Sequence, residues 1–427
     1  MKINSNFKLT RIPFYIDHKQ LITCTLITIL LISVFAINAQ NQEQTKNSSN
    51  SDFDKLPKIK WEFKTSKSIF SSPIINEATI YFGGNDSLLH AVDLESGKEK
   101  WRFKTGGEIR SNVCIDGDFL YLNGGDRIIY KLEKPTGKTV WKFETKGEKK
   151  VDFADYFQST PVLQNQVIYF GSGAGNFYAV DAKKGNEIWK FKTGNAIHSK
   201  PAIANGKVFF GSFDGYVYAL NLQKGKLIWK FKTVAHKYFP TGDVMGSPTV
   251  YNDLVFIGAR DYNFYALDQE KGFCHWNKAF FRGWALNSSI SDSVLYIGSA
   301  DERVLIGADP ETGAEYWRTN MEFLVFGNNA YSETLLYVGT TNGKLQAFSK
   351  LTGKYMWSFE TESYKKNRLK YFKTDDTYRD DIYSIIKSNE QFLEVECELG
   401  GIFSTPVIHG NCLIFTSTNG ILYCLER

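Results

Sequence analysis

Cysteine is scarce in this 427-residue chain and poorly spaced for bonding. Of six cysteines, Cys24 lies near the N-terminus, and the other five (Cys114, Cys274, Cys397, Cys412 and Cys424) are odd in number, with no CxxC motif and no adjacent pair. A disulfide framework is therefore excluded, and free thiols packed on strands are expected, although Cys412 and Cys424 fall within one repeat and pairing between them stays open. An excess of charge is lacking too. Lys2, Lys8, Arg11 and Lys19 less Asp17 put +3 of the formal +5 into the first twenty residues, leaving +2 beyond them. Nothing in that near-neutral remainder points to nucleic acid. What the chain has in quantity is apolar surface, 43% hydrophobic and 15% aromatic residues, enough for a large globular core.

The N-terminus is basic from Lys2 to Lys19, uncharged and apolar from Leu21 to Ile37 ("LITCTLITILLISVFAI"), then Asn38, Ala39 and Gln40. This order is that of an export signal, so residues 1–39 are expected to be a signal peptide cleaved after Ala39, or else a retained membrane anchor, which would bring residues 21–37 into contact with the membrane. Cys24 follows Thr23 and precedes most of the apolar run, which is not the setting of a lipid-bearing cysteine. The expected location is the periplasm or cell envelope. Residues 40–56 read as a disordered linker and 57–427 as one domain.

That domain repeats. "AVDLESGKEKW", Ala91 to Trp101, recurs as "KLEKPTGKTVW", "AVDAKKGNEIW", "ALNLQKGKLIW", "ALDQEKGFCHW", "GADPETGAEYW" and "AFSKLTGKYMW". The tryptophans Trp101, Trp141, Trp189, Trp229, Trp276, Trp317 and Trp357 fall 40 or 41 residues apart, except for steps of 48 and 47. Such a period fits four short strands per repeat, each read from its apolar alternation and its turn residues. The second strand ("TIYFGG", "FLYLNGG", "VIYFGSG" and so on) occurs eight times, so one repeat lacks its own tryptophan strand. "KIKWEFKT" around Trp61 has that strand's pattern with no partners before it. Residues 404–427 are expected to supply three strands of a last unit and residues 58–65 the fourth, closing a circle without exposed edges. The fold class is all-β: an eight-bladed β-propeller of four-stranded antiparallel blades, predicted to be monomeric. Within the motif, glycine supplies the positive φ of a tight turn, Asp93, Asp181, Asp268 and Asp309 bond turn amides, and Trp61 with its seven counterparts docks adjacent blades.

Ala-x-Asp-x-x-x-Gly-x-x-x-Trp resembles the tryptophan-docking repeat of the pyrroloquinoline quinone (PQQ) enzyme family over about residues 58–427. Three copies match it fully ("AVDLESGKEKW", "AVDAKKGNEIW", "ALDQEKGFCHW") and the rest depart at one or two positions. The resemblance implies a fold and not a reaction. It spans PQQ-dependent alcohol dehydrogenases and the non-enzymatic propeller component of the bacterial outer-membrane protein assembly machinery. WD40 propellers share a similar period, but no repeat tryptophan here is followed by Asp.

Long irregularities enter only the loops from strand four to the next strand one: "ETKGEKKVDFADYFQ" before blade three, "KTVAHKYFPTGDVMG" before blade five, and Glu360 to Gly401 before blade eight. They are expected to crowd one face. In the last of these, "DDIYSIIKSNEQFL" suggests one short helix, and the whole reads either as a solvated surface loop or as a lid or partner-binding arm. Asp375, Asp376, Asp380 and Asp381 lack the glycine and spacing of a calcium loop, so no metal is expected there. Phe70, Arg110, Gln158, His198, Met245, Ala285, Phe326 and Phe403 precede the innermost strands and should ring the channel mouth, followed by small residues such as Ser71, Ser111, Ser159, Ser199 and Ser404. Trp284, the one tryptophan of the domain outside the docking series, lies on the same face beside Arg282 as a stacking surface for a planar ligand or a partner side chain. The face thus offers Phe70, Arg110, Gln158, His198, Arg282, Trp284, Phe326 and Phe403 as ligand- or partner-binding candidates.

For the dehydrogenases the resemblance implies a tryptophan floor, adjacent cysteines in a disulfide, a calcium ion held by carboxylate and amide side chains, and an aspartate base. The chain has no adjacent cysteines, and no motif places the calcium ligands or the base. The expected function is therefore an exported, non-catalytic scaffold without cofactor or catalytic residues, binding envelope or outer-membrane proteins, with outer-membrane protein assembly as the implied setting. A PQQ- and calcium-dependent oxidoreductase, and a periplasmic sensor or carbohydrate-binding propeller, are the alternatives.

Overall fold

The computed structural model describes residues 51–148, 150–152 and 154–427; the apolar run Leu21–Ile37 and its flanks lie outside the described residues. Eight antiparallel sheets of four strands are arranged as the repeats foretell, with strands in chain order within seven of them. The first blade is typical: Ile74–Asn76, Thr79–Gly83, Leu88–Asp93 and Glu99–Lys104. Its second and third strands are buried almost throughout because a neighbouring blade covers each face. Its outermost strand alternates half-buried and exposed positions, turning Trp101 and Phe103 inward and the charges outward.

A register shift precedes each docking tryptophan, as between Ala91 and Val92 opposite Trp101. This bulge re-aims the indole at the next blade. There its Nε1–H donates to a carbonyl in the turn between strands three and four: Trp61 to Leu94 at 3.1 Å, Trp229 to Gln269 at 2.9 Å, Trp317 to Lys350 at 2.9 Å. The turn's glycine lies against the ring. Gly97 has φ of +67°, and a Cβ on it would sit 2.6 Å from the Trp61 indole, so conformation and space both exclude a side chain. Asp93 Oδ1 accepts from Ser96 N–H at 2.9 Å, and these bonds hold its carboxyl down at about 2. Each motif residue therefore serves the junction between two blades.

The ring closes as expected. Lys58–Lys64 pairs antiparallel with Ile421–Glu426, from Lys58 opposite Glu426 to Lys64 opposite Ile421. The last blade has no turn between strands three and four to receive Trp357, because its fourth strand comes from the other end of the chain. Residues upstream take that place. Trp357 Nε1–H donates to Phe53 O at 2.5 Å, and Phe53 N–H donates to Tyr337 Oη at 2.9 Å. Asp52 accepts from the N–H groups of Thr334 and Leu335 at 2.9 and 3.3 Å. Phe53 is fully buried, with Arg427 over its ring. The linker expected over 40–56 is thus corrected at its end: Asp52 and Phe53 are anchored by backbone and indole bonds, while residues 40–50 lie outside the described residues.

Around the axis the first strands are laced together through eight equivalent positions, Ser72, Asn112, Thr160, Lys200, Ser247, Asn287, Asn328 and Thr405. The backbone N–H at one position donates to the side chain at the next in six of the eight junctions, from Ser72 to Asn112 at 2.7 Å through to Thr405 to Ser72 at 2.9 Å. The small residues just before them fit the crowding anticipated. Ser71 Oγ, for example, bonds both Gly83 O and Gly83 N–H. All five described cysteines are free thiols. Among the described residues no helix is long and apolar enough to cross a membrane.

Candidate functional site

The loops leading into blades three, five and eight converge over the axis on one face, as their positions in the repeat require. The first reaches across it. His198, which leads into blade four, is fully enclosed, with Nδ1 2.8 Å from Asp155 Oδ1 and Nε2 3.1 Å from Glu148 Oε1. Burial pushes this imidazole down, but the two carboxylates outweigh it and carry the group up to about 9, so it is a cation at neutral pH. In the same loop Asp152 accepts from Nη2 of the buried Arg260 at 3.1 Å, and Asp243 lies 3.6 Å from Nη1. One segment is thereby bolted to two distant blades.

The His198 contribution to stability is complete below about pH 6.5, its unfolded value, and is lost as pH rises through about 9. Asp155, held below the usual carboxylate range despite its burial by the His198 bond, sets the acid limit. Replacing His198 with Gln should therefore cost most between pH 5 and 6.5, and roughly 3 kcal/mol less at pH 10. Urea midpoints of the two proteins check this; an equal deficit at both ends would show a neutral imidazole.

Beneath these loops aromatic rings fill the axis. Phe403 packs against Phe70 at 5.0 Å, Tyr156 at 4.9 Å and Phe326 at 5.6 Å between centroids. The Glu360–Gly401 insertion folds down over them. Thr361 caps a short helix Glu362–Asn367 by accepting from Tyr364 N–H, and Ser388 caps Asn389–Leu399, which Gly400 ends in a left-handed conformation. The single short helix expected around 380–393 is corrected to a four-residue turn of helix, Ile382–Ile385, and this separate eleven-residue one. Ile386 is extended between them, and Ser388 restarts the hydrogen bonding. Tyr364, Phe372, Ile382, Val395 and Leu399 join Phe70, Tyr156, Phe326 and Phe403 in one apolar cluster. The insertion is therefore a packed cover, not a solvated loop. Its inner surface carries one polar anomaly. Glu396 is 1% exposed, neither carboxylate oxygen has a hydrogen-bond partner among the described residues, and burial pushes the group up to about 8.

Outward, this face is apolar in patches. Val234, Tyr238, Phe281, Leu369 and Tyr383 stand exposed on loops into blades five, six and eight, Phe281 and Tyr383 at 84% and 88%. Next to the cover lies a cleft of about 640 Å³ with Glu108, Asp152, Asp155, Glu390 and Glu394 against only Arg110 and Lys150.

Of the residues expected at the mouth, Phe70, Arg110, Gln158, His198, Met245, Phe326 and Phe403 meet around the axis, but as a sealed layer, each at most 9% exposed; Ala285 is corrected to the interface between blades five and six, and Leu286 takes its place at the axis. Gln158 accepts from Arg110 N–H and donates to Glu108 O at 3.1 Å, which makes it a brace. Trp284 is not an open stacking surface. The Arg260 guanidinium lies 4.8 Å from its ring and the edge of Phe239 packs at 5.1 Å, leaving it 8% exposed. Arg282 does point outward, beside the Phe281 ring. Sequence reasoning missed Tyr156, Arg260, Asp152, Asp155 and Glu396. Arg260 alone left a trace, as the one charge at a position held elsewhere by Asn85, Gly125, Gly173, Phe213, Ala300, Thr341 and Thr418.

The profile of a family described as outer membrane protein assembly factor BamB matches residues 51–189 and 278–370, together more than half of the chain. Among solved structures, BamB from Moraxella catarrhalis superposes with a TM-score of 0.65 at 15% identity, covering 87% of this chain and 100% of its own. Quinohemoprotein alcohol dehydrogenase from Comamonas testosteroni gives 0.66 at 12% identity, covering 86% of this chain and 76% of its own. A computationally designed protein, Ika8, gives 0.64 at 12%, covering 85% and 98%. No curated protein matches by sequence. That an assembly factor, an alcohol dehydrogenase and a designed chain share the shape shows that these likenesses carry the fold alone.

Proposed function

The chain belongs to the family described as outer membrane protein assembly factor BamB, and from that premise we propose that it is an exported, non-catalytic scaffold that docks protein partners of the cell envelope, in outer-membrane protein assembly, on the face bearing the insertion. The observation that carries this reading is the set of exposed anchors, Tyr238, Phe281 and Tyr383, held on loops whose inner sides are fixed by the plug and the ion pairs. Rigid aromatic anchors lose little entropy on binding, and Glu108, Glu390 and Glu394 of the neighbouring cleft, which form no ion pair among the described residues, suit an arginine or lysine side chain of the partner.

The residues present do not fit a PQQ cofactor. The Trp284 face is covered by Arg260, the axial space holds Phe70, Tyr156, Phe326 and Phe403, and Asp152 and Asp155 are committed to Arg260 and His198. No chemical step is derived through such a group. Added PQQ and Ca²⁺ should give neither a thermal shift nor dye reduction; either signal would return the oxidoreductase reading.

Changing Tyr238, Phe281 and Tyr383 together to Ser removes exposed apolar groups only, so the fold should persist. Recovery of outer-membrane assembly components in pull-downs from the envelope should fall at least about tenfold, in line with the loss of hot-spot aromatics. Undiminished recovery would remove this face from consideration.

A further inference from the structure

Below the aromatic layer the axis opens into a tunnel of about 270 Å³, room for about nine waters. The first strands run away from the insertion face, so this tunnel leads toward the opposite one. Its walls are the laced positions described above. Seven of these eight are Ser, Thr or Asn, and the eighth is Lys200. The lining carries Arg110, His198 and Lys200 and no carboxylate.

Two of those charges are answered from behind the wall. His198 faces Asp155 and Glu148, and an Arg110 Nη donates to the Asp155 carbonyl. Lys200 has no such answer. Among the described residues no carboxylate lies within salt-bridge distance of it; the residue is exposed and lines the tunnel, while the surrounding protein pushes its pKa down. The titratable group bearing on it is the Cys114 thiol, itself pushed up by burial and so neutral. Lys200 also breaks the lacing. A hydroxyl or amide there would accept from Thr160 N–H, as Thr160 accepts from Asn112 N–H at 3.0 Å, but an ammonium has nothing to accept with. On the same wall Asn328 Oδ1 has no hydrogen-bond partner.

We propose that the axial tunnel binds a small oxyanion that carries its own hydroxyl donor, with the anionic oxygens on Lys200 and the surrounding hydroxyl and amide groups. Hydrogen phosphate and a compact hydroxycarboxylate share this chemistry and fit the volume. The site is separate from the docking face and independent of the function proposed for it. Its geometry explains why a residue that cannot accept stands at a position where six of its seven counterparts accept a lacing bond.

Calorimetric titration of the purified protein at low ionic strength with phosphate, and separately with lactate, tests this. At least one should bind saturably at one site with Kd below about 1 mM, the responding arm identifying the source, and glycerol should not bind. Lys200→Met should weaken binding at least tenfold. Lys200→Thr should weaken binding to a similar extent while raising the melting temperature, because threonine restores the missing link. Absence of saturable binding by both anions, or binding unchanged in both variants, would overturn the proposal.

Discussion

A chain beginning at residue 66 is expected to yield no folded propeller: no cooperative urea transition, loss of near-ultraviolet dichroism and a tendency to aggregate. The missing strand supplies six register pairs to the last blade and places Trp61 and Phe63 against the cluster that joins it to the first. Removing it also strips Gly97 and Leu94 of their indole and leaves Ile421–Glu426 as an unpaired edge. Losing one buried aromatic costs about 3–5 kcal/mol. Phe53, fully buried, together with the half-buried Trp61 and Phe63 and a strand's ladder, approaches the 5–15 kcal/mol that typically separates folded from unfolded domains. Phe53→Ala is the graded version, which should keep the fold but lower stability by roughly 3–5 kcal/mol, since Phe53 is fully buried and fills the place of an eighth turn. A normal transition in the chain starting at 66 would mean that the ring closes some other way.

The second large effect is a gain. Glu396 ionises at about 8 in the folded protein against an ordinary 4.5, because burial disfavours its charge and outweighs the Thr341 hydroxyl that favours it. A carboxyl raised in this way costs nothing below about pH 4.5, costs more with each step toward 8, and is level thereafter. Glu396→Gln should therefore match the wild type near pH 4.5 and exceed it by about 3–5 kcal/mol at pH 9, read from urea midpoints at the two pH values. Equal stability at pH 9 would mean that the carboxylate is solvated. The cover helix is the element affected, since Glu396 sits on its inner side between Val395 and Leu399.

The repeat motif and the blade count were readable in the sequence, whereas the bulge before each docking tryptophan and the lacing around the axis, though they recur, were not. Glycine and tryptophan at fixed offsets described complementary halves of one junction, and the surplus second strand told where the circle shut. What does not recur was silent. Asp52 and Phe53 belong to no repeat, and their partners Thr334 and Trp357 lie about three hundred residues away. Arg260 and Asp152 are 108 residues apart with no pattern linking them. Glu396 in "NEQFLEVECEL" looks like an outward charge until the helix is set against the axis. Trp284 misled for a related reason: its isolation in the sequence suggested availability, whereas Arg260 from the preceding blade already occupies its face. Local periodicity encodes junctions between neighbours, while the site is made of contacts across the ring.

Pairing of Ile59 with Leu425 has a consequence in time. The strand made early must wait for one made some 360 residues later, and in that interval seven finished blades stand as an open arc with sticky ends. The last step of folding is therefore also the most distant in sequence, and the most exposed to a stray neighbour. Any helper that shields a growing chain would be needed longest at the first tryptophan.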